Sequence, residues 1–136
     1  MGTRGIYGFF YKGKFYCFYN HWDSYPRGLG VTLLKELVKI VEEGRLNEWK
    51  EKLELLINRD YSAAKDEPNN TISFENILKD CEPENEPPWE QYAYVINFDE
   101  DMFEFYRKSN LAIVQPLALT QLKQLLVVFE SSLNNY

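Results

Sequence analysis

Apolar and aromatic positions open the chain in two short runs, Arg4-Gly-Ile-Tyr-Gly-Phe-Phe-Tyr11 and Lys14-Phe-Tyr-Cys-Phe-Tyr19, separated by Lys12-Gly13. Two β-rich runs around a Lys-Gly turn predict a hairpin. Alternation sets Ile6, Gly8 and Phe10 on one face against Tyr7, Phe9 and Tyr11 on the other, and Phe15, Cys17 and Tyr19 against Tyr16 and Phe18. Both faces are aromatic or apolar. One is expected to meet helices, and the other must be covered or form a patch.

The period then lengthens. Over 31–43, Leu34, Leu37, Val38 and Val41 recur at helical spacing, and Gly44 supplies a stop. A second helix is predicted over 46–58, with Leu46, Trp49, Leu53, Leu56 and Ile57 inward and Glu48 paired with Lys52 outside. Residues 59–71 turn polar around a loop at 68–70, and Ser73 can cap a short helix over 74–79. The proline- and acid-rich stretch 80–90 reads as a surface loop. Tyr92, Tyr94, Ile96 and Phe98 alternate with Ala93, Val95 and Asn97, Asp99-Glu100-Asp101-Met102 turns the chain, and 103–107 return it as a second hairpin. Residues 111–117, ended by Pro116, fit a short edge segment. A last helix over 119–133 carries Leu122, Leu125, Leu126, Phe129 and Leu133 on one side. This order predicts an α+β fold in a single domain spanning 1–136. Its core is an antiparallel sheet of four to five strands built from two aromatic hairpins, with three or four helices packed on one face.

Composition narrows the function. A chain of 136 residues that is 45% hydrophobic can bury a core without metal or disulfides. Its net charge of −6 disfavours a general nucleic-acid binder. The charge is uneven: residues 1–45 hold seven Lys or Arg against four acids, so the first third is +3 and the remainder −9. The two cysteines, Cys17 and Cys81, have no ligand spacing and read as thiols of a reducing compartment rather than a disulfide. No hydrophobic leader and no apolar run near the ~18 residues of a membrane span are present, so neither secretion nor a membrane partner is expected. Gly2 is followed by Ile6 where myristoylation wants Ser or Thr.

Candidate chemistry gathers at Tyr19-Asn-His-Trp-Asp-Ser-Tyr-Pro-Arg-Gly-Leu-Gly30. His21, the single histidine, and Asp23 are the catalytic candidates, while Arg4, Asn20, His21, Asp23, Tyr25 and Arg27 form the candidate ligand-binding set. The plainer reading is favoured, in which Asn20, Asp23 and Ser24 satisfy backbone groups and Gly28 and Gly30 permit tight turns. A metal site pairing His21 and Asp23 with Asp99 or Asp101 is a weak signal, and no metal or cofactor is expected. Arg27-Gly-Leu-Gly30 before a helix lacks the fingerprints of a phosphate loop. Base stacking by the aromatic hairpin lacks the submotifs of RNA-binding sheets, so packing or self-association explains the aromatics first.

Met1-Gly-Thr-Arg-Gly5, Tyr11-Lys-Gly-Lys14, Tyr19-Asn-His-Trp-Asp-Ser-Tyr-Pro26 and Gly28-Leu-Gly30 resemble the signatures of a small uncharacterised protein family of large DNA viruses (marseillevirus-like), phages and fungi. Gln91-Tyr-Ala-Tyr-Val-Ile-Asn-Phe98 with Phe103-Glu-Phe-Tyr106 resembles that family's later hairpin. The resemblance implies a viral or fungal context and no assigned activity. Relatives beginning Met-Cys-Thr-Arg-Gly are similar at their start to N-terminal-nucleophile hydrolases, but Gly2 here offers no side-chain nucleophile. The expectation is a viral or intracellular accessory protein of the host cytoplasm or nucleus, or packaged in the virion. It acts by binding a host or viral protein and by self-association as a homo-oligomer such as a homodimer. A small hydrolase and a weak single-stranded nucleic-acid binder are the alternatives.

Overall fold

A computed structural model describes residues 2–58, 71–72, 81–86 and 89–131. The expected loop at 68–70, the short helix over 74–79 and the end of the last helix at Leu133 lie outside them. β1 (Gly5–Tyr11) and β2 (Lys14–Asn20) form the first hairpin. Lys12 and Gly13 at its turn have φ of 50° and 77°, as a two-residue hairpin turn requires. The Asp99 carboxylate accepts the N–H groups of both, at 2.7 and 3.0 Å.

A π-helical turn, Pro26–Gly30, runs directly into α1 (Val31–Glu42). Gly44, at φ 71°, ends that helix and leads to α2 (Leu46–Ile57). The paired Glu48 and Lys52 stand 3.6 Å apart. β3 (Tyr92–Asn97), β4 (Met102–Arg107) and the edge strand β5 (Asn110–Pro116) follow, then α3 (Leu119–Ser131).

The fold is α+β, with five strands in the order β2-β1-β3-β4-β5. Pairing is antiparallel except at the centre, where β1 and β3 run parallel, Gly5 beside Tyr92 and Phe9 beside Ile96. The expected antiparallel sheet thus holds at three of its four pairings, and the central one is parallel. Alternation alone fits either direction, and the helical connection between the hairpins carries the chain back to the starting end of β1.

The helix-facing side carries the rows Phe18-Tyr7-Tyr94-Phe105-Ile113 and Tyr16-Phe9-Ile96-Phe103-Gln115 across the strands. Trp49 of α2 meets Phe9 edge-on at 6.1 Å, and Phe129 of α3 meets Phe105 edge-on at 5.3 Å. α1 approaches so closely at Gly30 that a Cβ there would stand 2.8 Å from the Phe129 ring. Burial of each such ring contributes about 1.5–3 kcal/mol. The other side carries the rows Tyr19-Ile6-Ala93-Tyr106-Leu111 and Cys17-Gly8-Val95-Glu104-Val114. Its centre is dry, with Ile6, Ala93 and Val95 fully buried, whereas Tyr19, Leu111 and Val114 at its margins are exposed. Among the described residues no helix is long and apolar enough to cross a membrane.

Candidate functional site

The loop after β2 is held by its own polar groups. The Asn20 side-chain amide donates to the Trp22 carbonyl at 2.6 Å and to Ser24 Oγ at 2.8 Å, and the Ser24 hydroxyl donates back to the Asn20 carbonyl at 3.1 Å. Ser24 is fully buried, its N–H donates to the Thr3 carbonyl, and its carbonyl accepts the Tyr94 hydroxyl at 2.7 Å. Burial raises the Tyr94 phenol far above its ordinary range, so this donor stays protonated. Asp23 turns the chain at φ 53°, which aspartate tolerates. Gly28 packs on that turn, where a Cβ would fall 2.3 Å from the Asp23 carbonyl, and Gly5 packs on Ser24 in the same way. The glycines of this stretch therefore serve close approach rather than unusual φ.

Two amides of the Arg27-Gly-Leu-Gly30 turn are committed to backbone carbonyls. Gly28 N–H donates to the Tyr25 carbonyl and Leu29 N–H to the Asp23 carbonyl, both at 2.9 Å. Arg27 is exposed on this turn.

Arg4 and His21 share a cleft of about 560 Å³ whose other lining residues are Gly2, Trp22, Glu90 and Gln91. The parallel pairing of β1 with β3 builds it, because the residues entering both strands lie side by side at one end of the sheet. Gln91 stitches that end: its side-chain carbonyl accepts Arg4 N–H at 2.9 Å, and its backbone carbonyl accepts Lys108 N–H at 2.8 Å. The Tyr19 hydroxyl and His21 Nδ1 are 2.7 Å apart. With the hydroxyl donating, the neutral imidazole carries its proton on Nε2. Trp22 stands edge-on to His21 at 4.6 Å and is 63% exposed. A Cβ on Gly2 would come within 2.4 Å of the His21 carbonyl, so the cleft wall closes on this glycine.

Of the expected set, Arg4 and His21 meet in one cleft, while Asn20, Asp23, Tyr25 and Arg27 are not among its lining residues. Asp99 and Asp101 sit at the opposite end of the sheet from His21, beside the Lys12-Gly13 turn. Among the described residues no group of three or more His, Cys, Asp or Glu could hold a metal. Glu90 and Gln91 escaped sequence reasoning because only the strand direction places them beside Arg4. Cys17 and Cys81 are free thiols: Cys81 Sγ donates to the Cys17 carbonyl at 3.2 Å, and burial pushes the Cys17 thiol up to about 12.

The chain thus has a mixed five-stranded sheet with helices on one side and a mixed-charge, aromatic-lipped cleft at one sheet end. No known family, curated protein or solved structure matches it.

Proposed function

We propose that the chain is a non-catalytic module that works by binding protein, both a partner and a further copy of itself. The observation that carries this reading is Trp22, a large aromatic held towards solvent by a fixed neighbourhood. Asn20 anchors its carbonyl, His21 packs against its ring, and Tyr19 anchors His21. A rigid exposed tryptophan beside an arginine and a carboxylate has the make-up of an interface anchor, because little freedom remains to be lost on docking. Among the described residues the lining includes no hydroxyl or thiol, which weighs against the hydrolase alternative, and the overall acidity weighs against nucleic acid. The same reading places the chain as a viral or intracellular accessory protein of the host cytoplasm or nucleus, or of the virion. Its support is the likeness of the first thirty residues to the viral, phage and fungal signatures.

The test is a photo-crosslinking side chain at position 22 in cells, followed by titration of the captured protein, once purified, against the original chain and Trp22→Ala. The expected result is an affinity loss of about tenfold or more with an unchanged unfolding midpoint. Equal affinities, or labelling no different from a crosslinker at Lys39 on α1, would remove the reading.

A further inference from the structure

The two edges of the sheet end differently. Along β2 the chain covers its own edge: Phe15 N–H donates to the Glu84 carbonyl at 2.8 Å, Glu84 N–H donates back at 3.1 Å, and the Cys81 thiol takes the Cys17 carbonyl. Along β5, among the described residues, nothing pairs with the outer edge. This strand, Asn110-Leu-Ala-Ile-Val-Gln-Pro116, has no charged side chain, and its Leu111 and Val114 are 52% and 46% exposed. Uncharged open edges invite further pairing.

The backbone specifies what can pair there. Leu117 N–H points inward to the Asp101 carbonyl at 2.9 Å, so alternation turns Gln115 and Ile113 towards β4 and Val114 and Pro116 outward. Pro116 has no outward N–H to satisfy. The register then skips: Phe105 opposes Ile113 but Tyr106 opposes Leu111, leaving Ala112 as a bulge. Beyond it Asn110 closes the two-residue turn with Arg107, and Leu111 faces outward. Complete outward donor and acceptor pairs therefore stand at Leu111 and Val114, three positions apart. The bulge brings them to the spacing of two positions on a regular strand, as their β4 partners Tyr106 and Glu104 show.

A second copy meets both. Run antiparallel about a two-fold axis, Leu111 of each copy falls opposite Val114 of the other, and the two bulges face each other across the axis. Both residues lie on the side of the sheet away from the helices, so their exposed side chains also pair, twice. Charge agrees at the ends. Arg107 and Lys108 flank the start of β5, and Glu100 with Asp101, which holds Lys50 at 2.6 Å, flanks its finish. Antiparallel pairing sets each basic turn beside the other copy's acidic turn.

We propose that two copies of this chain join edge to edge through β5, Leu111 opposite Val114, into one continuous sheet. This rests on the self-association half of the binding reading and names its surface.

Sedimentation velocity of the full chain over a concentration series tests it, with Leu111→Lys, Lys108→Glu, Lys108→Glu/Glu100→Lys and the α3 surface control Val127→Lys. The expected results are a dimer for the original chain and the control, and a monomer for Leu111→Lys with unchanged circular dichroism. Lys108→Glu should weaken the dimer about tenfold, and the double charge exchange should restore it. A monomeric original chain at every concentration would overturn both self-association and its surface. A dimer that survives Leu111→Lys and Lys108→Glu unchanged would overturn the β5 surface alone. If Leu111→Lys unfolds, the charge reversal and its rescue decide.

Discussion

The two sides of the sheet are built from similar residues and end in different states. On the helix side the row from Tyr16 through Phe9, Ile96 and Phe103 is buried, because α2 and α3 set Trp49 and Phe129 against its aromatics and those of the neighbouring row. On the other side the centre is just as dry, but small residues make it so: Gly8, Ala93 and Val95 lie under larger neighbours, and Trp89 packs on Tyr106 at 5.1 Å. Its margins, Tyr19 on one flank and Leu111 and Val114 on the other, face solvent. Aromatic content thus says that a strand can be buried. Whether it is buried to the edge depends on what lies above it. The side with helices supplies stability, and the other supplies exposed rows on which binding can act.

The sharpest way to break this contrast is to truncate one ring on each side. Phe105→Ala opens a cavity where Tyr94 stacks on it at 5.2 Å and Phe129 meets it edge-on, and should cost about 3–5 kcal/mol in urea unfolding. That is a large share of the 5–15 kcal/mol typical of a domain. Tyr19→Ala, 54% exposed, should cost under about 1 kcal/mol. Equal losses would mean that the sides do not divide the work.

A smaller effect tests whether the centre of the helix-free side is tightly built. Gly8 leaves no room for a side chain, since a Cβ would lie 2.0 Å from the Tyr16 carbonyl, an atom of the backbone. Gly8→Ala should therefore destabilise by about 1–3 kcal/mol, read from the same urea midpoints, as strands β1 and β2 are forced apart. A neutral substitution would show that this side tolerates expansion.

Local patterns were legible and directions were not. The Lys12-Gly13 turn, the helix stop at Gly44 and the edge strand ending at Pro116 follow from residues whose backbone preferences act within a few positions. The parallel contact of β1 with β3 depends on how the intervening chain crosses, which no period of two or 3.6 encodes. The cleft inherits that limit. His21 and Arg4 belong to the polar candidate set that the sequence offers, whereas Glu90 reads as the end of an acidic loop and Gln91 as the start of the second hairpin. Ser24 satisfies a backbone carbonyl within its own loop, as its neighbourhood in sequence suggests, but its full burial goes with a tertiary contact from Tyr94, seventy positions away.

The smallest expected effect sharpens the comparison through alkaline pH. Cys17 lies on the helix-free side, and burial, then Cys81 and Glu84, raises its thiol from 9.0 to about 12. A raised folded-state value means that the native chain holds this proton more tightly than the unfolded chain. Its contribution is complete below pH 9 and is lost as pH rises towards 12. By pH 10 the loss from this group should reach about 1 kcal/mol, at a pH where the tyrosines of the unfolded chain are also about half ionised. Tyr7, Tyr92, Tyr94 and Tyr106 are raised in the same direction, chiefly by burial, so their losses set in between pH 9 and 10 and are shared by the original chain and the variant. Urea-derived stabilities at pH 8, 9 and 10 should fall for both proteins, and more steeply for the original chain than for Cys17→Ala, by about 1 kcal/mol over the window, whatever constant cost the truncation adds. Matching slopes for the two proteins would show that water reaches Cys17 and that the centre of the helix-free side is open.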